Sequence, residues 1–396
     1  MPIFKKFGEL ASARQALMKH SIDPFQIVIE RILSPTEAMV NGRRTILAGT
    51  NNYLGLTFNQ ECIDAAGVAL REEGTGTTGS RMANGSFAGH LALERELAEF
   101  YGRKSAIVFS TGYLANLGIL STLPGKGDVI VLDADCHASI YDGCRLGNAE
   151  VIRFRHNDVK DLEKRLHRLG DRTSQTLIIV EGIYSMLGDR APLADIAAMK
   201  QQYQAYLLVD EAHSLGVLGK EGRGLTEETG VDGEVDFIVG TFSKSLGATG
   251  GFCLSHRPEL ELLRYASRPY VFTASPSPSV IASTRAALRI LRTNPELRSR
   301  LWNNARYLYE QLKGMGFALG PEPSPVIATI FSRKDEAVVL WNKLVEAGVY
   351  VNLVLPPAAP NGSSLLRCSV SAAHTDEQIM TICQAFSDCR SRGRVH

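Results

Sequence analysis

The chain has 396 residues, 44% of them hydrophobic and 21% charged, so it is long enough for two or three domains and too apolar to be disordered. With 43 basic against 42 acidic residues the net charge is +1, which argues against a nucleic-acid-binding protein. No run approaches the roughly 18 apolar residues of a membrane span. Met1–Leu10 lacks the apolar core of a signal peptide, and the seven scattered cysteines form no CxxC pair. These features lead us to expect a cytoplasmic protein with reduced thiols.

The first 40 residues read as helical and polar. Glu61–Glu73 reads as a helix. Beyond it, short Val/Ile/Leu-rich runs alternate with helical periods. The strand candidates are Ser105–Phe109, Asp128–Leu132, Glu150–Phe154, Thr176–Val180, Ala205–Val209, Phe237–Val239 and Gly251–Leu254. Ala115–Thr122, Val159–Leu169 and Leu193–Tyr203 have helical period. Strands apolar on both faces, alternating with helices, imply a mostly parallel sheet covered on both sides. After Pro276 the texture changes: helices over Ser279–Thr293 and Asn294–Met315, a strand at Val326–Phe331, a helix at Asp335–Glu346, a strand near Leu365–Ser369 and a last helix at Thr375–Arg390. The expected organisation is an N-terminal segment over 1–44, a large domain over 45–276 and a small α+β domain over 277–396.

Two motif matches fail on context. Gly74-Thr-Gly76-Thr-Thr-Gly79 spells GxGxxG, but a dinucleotide fingerprint follows a strand, and a helix precedes this one. Asp210-Glu-Ala-His213 spells the helicase DEAH, but the chain has no GxxxxGK[ST] to hold a triphosphate. No metal-ligand motif such as HExxH is present.

Chemistry gathers instead at predicted strand ends, where open α/β sheets bind ligands. Ser110-Thr-Gly112-Tyr113 lies between a strand and a helix, a setting for anion binding. Asp133-Ala-Asp-Cys-His137 follows the next strand. Asp210 ends an apolar run, and a carboxylate there needs a positive partner. His213 stands three residues on. Lys244 sits among Thr241, Ser243 and Ser245 after another strand. Taken singly, each has a plain structural reading. Together they match pyridoxal 5′-phosphate (PLP): a lysine for a Schiff base, an acid for the pyridine nitrogen, an anion site and a flat group over the ring.

The runs Asn52-Tyr-Leu-Gly55, Gly79-Ser-Arg81, Phe109-Ser-Thr-Gly-Tyr113, Asp133–Asp142, Glu181-Gly-Ile-Tyr-Ser-Met186, Val209-Asp-Glu-Ala-His213, Gly240–Lys244 and Leu366-Arg367 resemble the α-oxoamine synthase family. These are fold-type I PLP enzymes with an aspartate aminotransferase-like large domain, a mostly parallel seven-stranded sheet and a smaller α+β domain. The resemblance runs from about Asp23 to Ala385. Phe154-Arg-His-Asn157, Tyr184–Asp189 and Arg268–Ser275 resemble the soluble bacterial serine palmitoyltransferase branch.

The resemblance implies condensation of L-serine with a long-chain acyl thioester such as palmitoyl-CoA, with loss of CO2, to 3-ketodihydrosphingosine. Lys244 would form the Schiff base and remove the α-proton. Asp210 would pair with the pyridinium. His137 would stack on the ring and hold the substrate carboxylate, and His213 would meet the phenolic oxygen. Gly112, Tyr113, Ser185, Thr241 and Ser243 would hold phosphate and ring. Thr273 would reach the neighbouring subunit's phosphate in a homodimer with shared sites. Asn52, Ser80, Arg81 and Arg367 would face the substrate, the arginine's planar fork suiting a carboxylate. One position departs from that branch: Leu355 stands before Pro356-Pro357, where the branch carries an arginine. Alanine or glycine as the amino acid, acyl carrier protein as the acyl donor, and a silent partner-binding subunit are the alternatives. A lipid product also allows transient contact with the inner membrane.

Overall fold

The computed structural model describes residues 2–18, 23–356 and 358–391. Its contacts divide into two units, one of residues 51–185 and 189–301, the other of residues 1–50, 186–188 and 302–396.

The N-terminal part of the smaller unit corrects the expectation of an all-helical start. After the helix Gly8–Met18 come three strands, β1 (Ile29–Ser34), β2 (Glu37–Val40) and β3 (Arg43–Leu47), paired antiparallel in that order. Pro35 and Thr36 form the first turn, and proline there stops a helix. In β2, Ala38 and Val40 are buried between half-buried Glu37 and Met39, the period of a strand with one covered face.

The large unit carries β4 (Ser105–Phe109), β5 (Val129–Asp133), β6 (Glu150–Phe154), β7 (Thr176–Glu181), β8 (Tyr206–Asp210), β9 (Phe237–Thr241) and β10 (Gly251–Ser255). They form one seven-stranded sheet in the order β4-β10-β9-β8-β7-β5-β6. Neighbours run parallel except β10, which is antiparallel to both β4 and β9. Every residue of β4, β5, β7, β9 and β10 is buried, as the apolar runs required. The expected strands β4 and β6 and the helix Val159–Leu169 match to the residue. Asp158 caps that helix by accepting the Asp161 amide at 2.9 Å. The helix Pro278–Thr293, placed by sequence in the small domain, packs on Gln60–Glu73 in the large unit. Its buried stripe of Ile281, Ala287, Leu288 and Leu291 needs that partner.

The rest of the smaller unit has β11 (Val326–Phe331), β12 (Val349–Tyr350), β13 (Asn352–Val354) and β14 (Ser364–Ser369). β12 joins β3 in parallel; the others make an antiparallel sheet in the order β11-β14-β13. The helices Lys334–Glu346 and Asp376–Ser391 pack against each other. All seven cysteines are buried free thiols. Among the described residues no helix is long and apolar enough to cross a membrane.

Candidate active site

The large unit holds a cavity of roughly 290 Å³ at the C-terminal ends of its strands, lined by Gly112, His137, Asp210, His213 and Lys244 among others. Parallel strands deliver these side chains together because each strand ends in a loop on that edge.

Asp210 is the last residue of β8 and 5% exposed. Its Oδ1 accepts the Ala212 N–H at 2.9 Å, and its Oδ2 accepts Asn116 Nδ2–H at 2.8 Å. Lys244, half-buried, follows β9 in the turn that also presents Thr241 and Ser243, whose hydroxyls lie 2.9 Å apart. The helix Gly112–Leu120 starts at the cavity wall, with Thr111 accepting the Leu114 amide at 3.0 Å. A Cβ on Gly112 would lie 2.8 Å from Thr241 Cβ, so only glycine lets this N-terminus approach β9. The helix end and the two hydroxyls form an anion cradle.

His137 caps the helix Ala138–Leu146 and is open to the cavity. Its backbone N–H donates to Glu181, while its Nδ1 accepts the Ser139 amide at 3.2 Å and lies 2.8 Å from Ser139 Oγ. Burial of part of its ring pushes its pKa down; Asp210 pulls it up and Lys244 pushes it down again, and the outcome is a lowered value. His213 Nδ1 lies 2.7 Å from the Tyr53 hydroxyl. Glu181 ends β7 opposite Asp210 in register and is 3% exposed. Burial first, then Asp210, raise its pKa well above the usual carboxylate range. The neighbouring Glu211 does other work: its buried carboxylate accepts the Leu225 and Thr226 amides at 2.9 and 2.8 Å.

A lysine, a buried carboxyl group, a solvent-facing imidazole and an anion cradle on one cavity fit PLP by donor chemistry. Most of the remaining expected residues fall elsewhere. Tyr113 lines the cavity but is 42% exposed, and its hydroxyl donates to Asp142. Asn52 Nδ2 donates to Thr57 at 2.8 Å. Ser80 makes a turn, its carbonyl accepting the Gly85 amide at 2.8 Å. Arg81 departs from the expectation of a substrate ligand. It is 7% exposed and gives both guanidinium arms to Glu94 at 2.9 and 3.1 Å. Glu94 is shared with Arg264 and the Val108 amide, which makes Arg81 a structural anchor. Ser185 and Thr273 are half-buried and do not line the cavity. Arg367 lies on β14 in the smaller unit, its Nη2 3.4 Å from Ser369 Oγ.

Sequence reasoning missed Asn116, Ser139, Glu181 and Tyr53. Glu181 carried a usable signal, since like Asp210 it ends an apolar run. Asn116 carried none, being one polar residue inside a helix.

Against known proteins, residues 44–386 match the family model of aminotransferase class I and II. The chain is 58% identical over 388 residues to a serine palmitoyltransferase from Caulobacter vibrioides, covering 98% of this chain and 96% of that protein. A solved Sphingomonas wittichii serine palmitoyltransferase superposes with a TM-score of 0.96 at 53% identity over 98% of each chain. A variant of the S. paucimobilis serine palmitoyltransferase, solved with a bound PLP–myriocin aldimine, superposes with a TM-score of 0.96 at 51% identity over 99% of each chain. The chain belongs to the aminotransferase class I and II family and has the fold-type I architecture.

Proposed function

We propose that this protein is a PLP-dependent acyltransferase that condenses L-serine with a long-chain acyl thioester such as palmitoyl-CoA, releasing CO2 and giving 3-ketodihydrosphingosine. The observation that carries the reading is the convergence of Lys244, Asp210 and His137 on one cavity, in a chain that is 58% identical to a serine palmitoyltransferase. When bound, PLP supplies an electron sink conjugated to the substrate's α-carbon.

The chain's own residues do the rest. Asp210, held by Asn116 and the Ala212 amide, keeps a carboxylate where a ring nitrogen must stay protonated. Lys244 Nζ takes the proton from the α-carbon. His137, with Nδ1 occupied by Ser139, offers Nε2–H to the substrate carboxylate. The N-terminus of Gly112–Leu120 with Thr241 and Ser243 binds the cofactor phosphate, and His213, fixed by Tyr53, turns toward the phenolic oxygen. The protein acts as a homodimer in which Thr273 serves the neighbouring site; Phe272 and Tyr265, 72% and 78% exposed, support such an interface. It works in the cytoplasm, with peripheral contact at the inner membrane.

Leu355 favours one second reading, with alanine or glycine replacing serine. It is half-buried just after β13, offers no charge to a carboxylate, and its carbonyl accepts the Ala358 amide at 3.0 Å. Pro357, which follows in the same motif, lies outside the described residues. The test is an absorbance titration of the PLP-loaded protein with L-serine, L-alanine and glycine, followed by palmitoyl-CoA. A response strongest for serine, with CO2 released on adding the thioester, is expected. A stronger response to alanine or glycine keeps the reaction class and changes the product. Turnover retained in Lys244→Ala would overturn the assignment, since among the described residues no other lysine lines the cavity.

A further inference from the structure

The geometry points to Asn116 as a positioning residue that ties the acid of the site to its stacking histidine through Ser139. The inference rests on the reading of Asp210 and His137 as the groups flanking the cofactor ring.

Asn116 is 2% exposed, in the middle of the helix whose first residues line the cavity. Its amide nitrogen has two hydrogens, and the structure shows a use for each. One donates to Asp210 Oδ2 at 2.8 Å, the other to Ser139 Oγ at 3.0 Å. The reversed amide would set an oxygen against the carboxylate, so the carboxylate dictates the orientation. Ser139, 1% exposed, lies 2.8 Å from His137 Nδ1 through its hydroxyl. Its backbone amide also donates to Nδ1. A nitrogen that accepts a backbone N–H carries no proton, so the hydroxyl must donate as well. The one N–H of the neutral ring is then Nε2–H.

The line Asp210, Asn116, Ser139, His137 therefore runs in a single sense, with every hydrogen assigned. Asn116 Oδ1 is buried without a hydrogen-bond partner. That orphan is costly, and the two hydrogen bonds donated by the amide nitrogen offset it. The groups facing His137 are Asp210 and Asp142, which favour its protonation, and Lys244, which disfavours it; Glu181 holds its backbone N–H. The hydroxyl donor on Nδ1 adds to the forces that keep the ring neutral.

The test separates the two ends of the line. Histidine-labelled full-length protein is titrated by NMR, without and with PLP, and PLP affinity is measured by equilibrium dialysis. In Ser139→Ala the His137 midpoint rises, because a donor to the neutral ring is gone, while PLP affinity stays within about threefold because Asp210 keeps its donors. In Asn116→Leu the midpoint rises less than in Ser139→Ala, because Ser139 keeps both its donors to Nδ1, and PLP binds about tenfold more weakly, as expected for losing one hydrogen bond to a charged group. An unchanged His137 midpoint in Ser139→Ala overturns the link, and unchanged PLP affinity in a folded Asn116→Leu overturns the support of Asp210. A merely structural asparagine lowers the melting temperature and moves neither readout. If the unaltered protein fails to bind PLP, the functional reading falls, while the His137 titration still tests the line.

Discussion

Two histidines follow neighbouring parallel strands of the large unit and reach opposite charge states. His137 follows β5, and donors from Ser139 meet its Nδ1. Its pKa is lowered. His156 follows β6 and lies between two carboxylates, Nδ1 2.8 Å from Asp133 and Nε2 2.7 Å from Asp189. Burial pulls its pKa down, but the two acids outweigh burial and raise it to about 10. Its ring also meets Tyr184 edge-on, centroids 4.5 Å apart. Burial lowers the pKa of both rings; at His156 two acids in direct contact outweigh it, and at His137 the more distant carboxylates do not. One ring stands open to the cavity with its pKa lowered. The other spends a cation on clamping together the loops after β5 and β6 and the turn at Asp189.

The sharpest break in that contrast is at Asp210. Asp210→Asn should cut kcat by about 10³, since a neutral partner cannot hold the ring-nitrogen proton, while the melting temperature barely moves. Near-normal turnover would remove Asp210 from the cofactor. His156→Ala should do the reverse. Asp133, fully buried, and Asp189 lose their shared cation, at about 3 kcal/mol of stability, with turnover per folded molecule nearly kept. Chemical denaturation with activity normalised to folded protein separates the two. His137→Phe keeps a flat ring and loses the Nε2–H donor and the Nδ1 helix cap; it should lower kcat/KM for serine about tenfold to hundredfold while costing only about 1 kcal/mol of stability. A matching loss of stability would put His137 in the same class as His156.

The smallest effect is on pH. The folded pKa of His156 lies above the ordinary value of 6.5. Its contribution is therefore complete below that value and drains away as pH rises toward about 10. Denaturant midpoints should fall across that alkaline window in the unaltered protein and fall less in His156→Gln. Equal slopes would mean that His156 is not charged in the folded state.

Much of the fold was legible because strands buried on both faces must be continuously apolar. That rule found all the strands of the large sheet, some to the residue. It failed over residues 29–47, where β1 buries no residue and β3 only its last three, and where Glu30, Arg31, Arg43 and Arg44 make the strands look polar. In the site, Lys244, Asp210, His137 and His213 could be named because strand ends converge at one edge. Arg81 could not be placed, since nothing in Gly79-Ser-Arg81 announces that Glu94, thirteen residues on, claims both arms of its guanidinium.

The sequence by itself determined the alternating α/β order, the rejection of the GxGxxG and DEAH matches, and the residue types that a PLP site needs. These follow from periodicity and from chemistry that single side chains carry. Only the tertiary structure decided how those side chains are held. It paired Asn116 with Asp210 across 94 positions of chain and set Tyr53 against His213 across 160. It raised the pKa of Glu181 by burial and that of His156 by two acid partners. Protonation and orientation depend on which polar atoms stand within about 3 Å, and that distance is fixed by folding, not by order along the chain.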